Sequence, residues 1–155
     1  HSTAYQSVSI PLNAESVTLR FWWKRFTEGT AMGRMSHPAL AEGTTLSTLG
    51  YDEDLQEVLL LDDRLRNVLE ILWRGRSNDG VWVEETFELS GWRGYTVELY
   101  FNAYNDDAAD RTWMYVDDVS VEVCLPSGLK RELRPSPEGS LSRLNGEPAR
   151  GPGLH

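Results

Sequence analysis

One cysteine, Cys124, stands among 155 residues, so an internal disulfide framework and a cysteine-based zinc finger are both excluded. Positive charge is scarce: 15 Lys and Arg face 24 Asp and Glu, a net charge of −9. That balance argues against a nucleic-acid partner of the basic-patch kind. Long apolar runs are missing too. None exceeds four residues, as in Val58-Leu59-Leu60-Leu61, against the ~20 residues a membrane helix needs, so no membrane insertion is expected. Histidine is confined to His1, His37 and His155. There is no Gly-x-Ser-x-Gly elbow and no His-Glu-x-x-His. A Ser-His-Asp triad would hang on His37 alone, and Glu84 and Glu85 would point to opposite sides of a strand. The expectation is that the chain is not an enzyme. No leader is visible and the chain opens at His1 rather than Met, which predicts processing or truncation.

What is present is apolar residues in alternation. Val17, Leu19, Phe21 and Trp23 alternate with Thr18, Arg20, Trp22 and Lys24, the two-residue period of a half-buried strand. Val97, Leu99, Phe101 and Ala103 alternate with Glu98, Tyr100, Asn102 and Tyr104 in the same way. Residues 6–11, 55–61, 67–73, 81–87 and 112–124 also read as strands, rich in Val, Leu and aromatics. Asp62-Asp63-Arg64, residues 74–80 and residues 89–94 carry turn chemistry between them. Seven short strands with regular turns predict an all-β fold, an antiparallel sandwich of jelly-roll type. Helix is expected only locally, around Ala39 to Glu42. The connection from Thr27 to Gly50 is too long for a simple turn, so it reads as a binding loop or a solvated excursion.

Composition changes near residue 124. All 16 aromatics precede residue 125, and five of the seven prolines follow it. The first 124 residues predict the sandwich. Residues 125–155, with five basic and three acidic side chains, predict a C-terminal tail or interaction arm.

The stretch from Trp82 to Cys124 carries an ordered set of features. Glu88-Leu89-Ser90 precedes Gly91-Trp92-Arg93-Gly94-Tyr95-Thr96-Val97-Glu98-Leu99-Tyr100-Phe101, an acidic loop Asn105-Asp106-Asp107 follows, and the last strand contains Tyr115-Val116-Asp117-Asp118-Val119-Ser120. This resembles the bacterial extracellular jelly-roll modules related to MAM domains and carbohydrate-binding modules. In those modules a D-L-S segment precedes a closing Y-V-D-D-V-S strand. The resemblance implies an extracellular, secreted or cell-surface location and a structural calcium on Asp117 and Asp118. Independently, adjacent carboxylates in an acidic domain desolvate poorly without a cation, and Asp106 and Asp107, with Asn105 and Asp110, precede that strand as further donors. The opposite reading of the pair has one aspartate in water and one capping backbone amides. The family's strand before Tyr5 has no counterpart here, which implies an open sheet edge able to take another strand.

Two functions follow as expectations. The first is a non-catalytic binding or adhesion module for a glycan or cell-surface ligand. Its face would combine Arg20, Trp22, Trp82, Glu98, Tyr100, Asn102 and Tyr104, flat rings for pyranose faces beside polar groups for hydroxyls. The second is a structural subunit of an extracellular fibre or surface assembly, joined through the open edge or through residues 125–155.

Overall fold

The computed structural model describes residues 2–36, 39–108 and 110–127. The expected C-terminal arm therefore lies almost wholly outside the described residues. Among the described residues eight strands form: β1 (Ser2–Ser9), β2 (Ser16–Thr27), β3 (Gly33–Arg34), β4 (Leu55–Asp62), β5 (Val68–Arg76), β6 (Val83–Glu88), β7 (Thr96–Tyr104) and β8 (Thr112–Cys124). Two single 3-10 turns, Leu46–Thr48 and Ser90–Trp92, are the only helical pieces among the described residues, and Ala39 to Glu42 is not helical. All strand pairs are antiparallel. They make a five-stranded sheet in the order β1-β7-β4-β5-β3 and a three-stranded sheet in the order β6-β2-β8. This is the expected antiparallel sandwich, and it is compatible with a jelly roll.

The core forms where the alternating residues meet. Val17, Leu19, Phe21 and Trp23 of β2 face Val97, Leu99 and Phe101 of β7, Val58 and Leu60 of β4, and Leu72 and Trp73 of β5. Aromatic rings lock the sheets edge to face: Phe21 against Phe101 at 5.1 Å and Trp23 against Trp73 at 4.9 Å. Such pairs add about 0.5–1.5 kcal/mol each beyond the area they bury. The Arg25 guanidinium lies 3.9 Å over the Trp23 ring and donates Nε and Nη2 to Asp79 Oδ2, the Nη2 contact at 2.6 Å, while the Arg25 amide donates to Asp79 Oδ1. A cation thereby closes one end of the core without standing unpaired.

β4 departs from alternation because both of its faces are covered. Leu59 and Leu61 point away from the main core and pack with Val68 and Ile71 under Leu40, Leu46 and Leu49 of the long connection. That connection is therefore neither a solvated excursion nor a free loop. It lies over the outer face of the five-stranded sheet and adds β3 to its edge. Gly75 makes this possible, since it sits beside the Gly33 carbonyl so closely that a Cβ would collide with it. Gly75→Ala should detach β3 and lower stability by about 1–3 kcal/mol. Thermal melts read the loss, and hydrogen exchange should localise it to residues 33–34 and 74–76.

Candidate functional site

The proposed ligand face does not assemble. Arg20 and Trp22 are on the outside of the three-stranded sheet, and Trp82 lies just before β6. Glu98, Tyr100, Asn102 and Tyr104 are on the outside of the five-stranded sheet, the opposite side of the sandwich. The physical reason is strand order: β7 pairs with β1 and β4, never with β2. Arg20 is spent on exposed ion pairs with Glu84 at 3.6 Å and Glu122 at 3.9 Å. Trp22 and Trp82 are partly exposed on that face.

Tyr100, Asn102 and Tyr104 of β7 instead join a polar cluster around Glu57, under the long connection. Glu57, fully buried in β4, accepts hydrogen bonds on Oε1 from the Tyr51 hydroxyl at 2.6 Å and from Asn102 Nδ2 at 2.7 Å. Its Oε2 lies 3.4 Å from Arg74 Nε as an ion pair. Arg74 also donates to the carbonyl of Leu49 at 3.0 Å and to that of Gly50, and its guanidinium lies 5.3 Å from the Tyr51 ring centroid. Tyr51 packs on Tyr104 at 4.7 Å. Burial pushes the Glu57 carboxyl above the ordinary glutamate value, against the opposing pull of Tyr51, Asn102 and Arg74. Burial, and then the charge of Glu57, also raise the Tyr51 and Tyr100 phenols. With no solvent access at Glu57, this cluster latches the connection to the sheet rather than meeting a ligand.

The proposed calcium ligands are divided between two places. Asp117 and Asp118 sit at a β-bulge: Arg20 pairs with Ser120 but Trp22 with Asp117, so one extra residue is held in β8. Asp118 takes the left-handed conformation there, at φ 50°, and its amide donates to Asp117 Oδ1 at 2.9 Å. Asp106 is occupied otherwise, donating its amide to Asp54 Oδ1 and accepting from the Ala108 amide. Asp117 lies five residues along β8 from Thr112, roughly 17 Å at strand rise, so the pair at the bulge and Asp106 and Asp107 in the loop form no common cage. Among the described residues no three Asp, Glu, His or Cys side chains converge for a metal. The aspartate pair thus shapes the strand, and the four residues do not fit one calcium ion.

The site that sequence reading missed lies at one end of the sandwich, between the β2–β3 and β7–β8 connections. An open concavity of about 750 Å³ is lined by Glu28, Asn105, Asp107 and residues 110–113, Trp113 among them. Its walls are fixed by backbone. Asn105 clamps Thr112 from both sides, accepting from its amide at 2.7 Å and donating to its carbonyl at 2.9 Å. Glu28 donates its amide to the Arg111 carbonyl and accepts the Arg111 amide on Oε2. Trp113 is 37% exposed, and its indole is stacked on Phe26 at 5.1 Å with 9° between planes. Tyr115 meets Phe26 edge to face, and the Lys24 ammonium lies 5.3 Å from the same ring centroid. The signal was present in sequence: Trp113 falls on the outward parity of β8, next to the acidic loop. It was hidden because its stacking partner, Phe26, is almost ninety residues away.

No protein-family profile matches the chain. It is 33% identical over 109 residues to a protein called "Pre-pro-metalloprotease PrtV" in two strains of Vibrio cholerae serotype O1, M66-2 and ATCC 39315 / El Tor Inaba N16961. Each alignment covers 58% of this chain but 12% of the relative, so the chain spans a small part of the length of the curated relatives it matches.

Proposed function

We propose that the chain is a non-catalytic carbohydrate-binding or adhesion module of an exported protein, taking its ligand at the open end of the sandwich. The observation that carries the reading is the Trp113 indole, braced on Phe26 and partly open, beside Asn105, Asp107, Asp110, Glu28 and Arg111. A flat apolar ring face next to amide, carboxylate and guanidinium groups matches a pyranose, whose ring face stacks while its hydroxyls both donate and accept. The relatives are named as pre-pro precursors, and for this chain that supports export and a role as an accessory segment of a longer protein. The main concavity is an open surface rather than a closed cleft, which suits recognition rather than chemistry.

Titration with oligosaccharides, followed by tryptophan fluorescence or by amide shifts, tests the reading. Trp113→Ala should weaken binding at least tenfold, a loss of about 1.4 kcal/mol, and leave the fold intact because the ring lies on the outside of β8. Saturable shifts confined to Trp22 and Trp82 would place the ligand elsewhere and sink this site. The other expectation is an assembly subunit joined through the open edge at β1 or through residues 125–155, and the oligomeric state of the intact chain against one cut after Cys124 tests it.

A further inference from the structure

The β7–β8 loop that walls the candidate site is gripped at both ends by the long connection. β7 leaves its ladder with β4 at the pair Tyr104 and Leu55, and β8 leaves its ladder with β2 at the pair Thr112 and Thr27. The next residues outward are Asn105 and Arg111 on the loop, facing Asp54 and Glu28 at the two ends of the connection. Glu28 gives its amide to the Arg111 carbonyl at 2.9 Å and takes the Arg111 amide on Oε2 at 3.1 Å. Asp54, only 5% exposed, takes the Asp106 amide on Oδ1 at 2.8 Å. Its Oδ2 is buried and has no hydrogen-bond partner among the described residues. A half-satisfied buried carboxylate is a poor device for stability alone. Arg76 of β5 then ties the two ends to each other. Its Nε donates to the Thr30 carbonyl at 2.6 Å, and its Nη2 lies 3.8 Å from Glu53 Oε2. Asp54 and Arg76 line a separate hollow of about 220 Å³ under the connection, not the concavity at Trp113.

We infer that Asp54 and Arg76 are positioning residues that set the ligand affinity of the candidate site, an inference that rests on the carbohydrate reading of that site. Asn105, Asp107 and Asp110 offer their polar groups to sugar hydroxyls at fixed places only while both ends of their loop are held. With both grips closed the loop is ordered before the ligand arrives. With one grip open, Trp113 stays braced on Phe26, but binding must then order the loop as well, and affinity falls. The long connection, besides covering the sheet, thus governs the site from behind.

Titration of the full chain with cellohexaose, chitohexaose and xylohexaose, read by tryptophan fluorescence beside thermal melts, tests it. Asp54→Ala and Arg76→Ala should each raise Kd at least about fivefold, whereas Asp54→Asn, which keeps the Oδ1 acceptor, should stay within about twofold of the parent. Val68→Ala, in the outer cluster at the opposite end of β5, should lower the melting point and leave Kd unchanged. A parent-like Kd in Asp54→Ala or in Arg76→Ala overturns the inference while the site itself stands. So does an equal rise in Val68→Ala, which would assign the effect to general loosening, or a loss in Asp54→Asn as large as in Asp54→Ala. A parent protein that binds none of the three sugars overturns the carbohydrate reading and this inference with it.

Discussion

Gln56→Leu is expected to destabilise the domain by about 3–5 kcal/mol, although Leu keeps the volume and the residue is fully buried. Gln56 sits on the inward face of β4 and shares its amide hydrogens among three carbonyls: Phe26 at 3.0 Å, Trp113 at 3.1 Å and Ser77 at 3.2 Å. Its Oε1 accepts the Ser77 amide at 2.9 Å. One side chain thus ties β4 of the larger sheet to β2 and β8 of the smaller one and to the β5–β6 loop. Removing it strands several backbone groups away from water, each costing about 1–3 kcal/mol. Two of those carbonyls belong to Phe26 and Trp113, the stacked pair of the candidate site. The variant should therefore weaken oligosaccharide binding as well as lower the denaturant midpoint. A midpoint within 1 kcal/mol of the parent, on a scale of about 1 kcal/mol per ordinary substitution, would show that the surrounding backbone satisfies itself without Gln56.

Residues such as Gln56 mark the limit of what the letters reveal. The alternation of Val17 to Trp23 and of Val97 to Ala103 follows from a strand with one face in the core, and both segments are strands with those residues buried. The change in composition near residue 124 likewise coincides with the end of β8. Strand order is another matter, because pairing joins β2 to β8 and β7 to β1 across gaps of up to about a hundred residues. The seven-residue ligand face required β2 beside β7, a neighbourhood that no periodicity encodes. The run Leu59-Leu60-Leu61 did hold a clue. A strand without alternation is buried on both faces, so something had to cover the sheet, and among the described residues the long connection is the nearby segment of sufficient length. Asp117 and Asp118 illustrate a different limit. Two adjacent carboxylates suit a cation and suit a bulge as text, and the register shift opposite Phe21 shows the bulge.

Arg74→Ala is expected to be the most damaging change on the outer layer, about 3–5 kcal/mol near neutral pH, because it leaves the Glu57 carboxylate buried without its cation. It also frees the carbonyls of Leu49 and Gly50, so the long connection should loosen and its amides should exchange faster. The pH dependence identifies the cause. The folded-state pKa of Glu57 lies above the ordinary glutamate value, so between those two values the folded protein binds more protons than the unfolded chain. The group therefore costs least stability at and below the ordinary glutamate pKa, and stability falls as pH rises through the window up to the folded value. Arg74 is one of the groups that pull this pKa down, so its removal widens the window upward. The Arg74→Ala protein should accordingly regain much of its loss near pH 4 to 5, with a slope approaching about 1.4 kcal/mol per pH unit above that range. Glu57→Gln in the same background should remove the slope and part of the loss, since a neutral amide still meets Tyr51 and Asn102. The remainder belongs to the two loop carbonyls, which only an arginine at position 74 reaches. Denaturant melts of the two single variants and the double variant at several pH values measure the coupling directly. Strictly additive losses, with the same pH profile in all four proteins, would mean that Glu57 and Arg74 do not act as a pair and that hydrophobic packing alone holds the connection on the sheet.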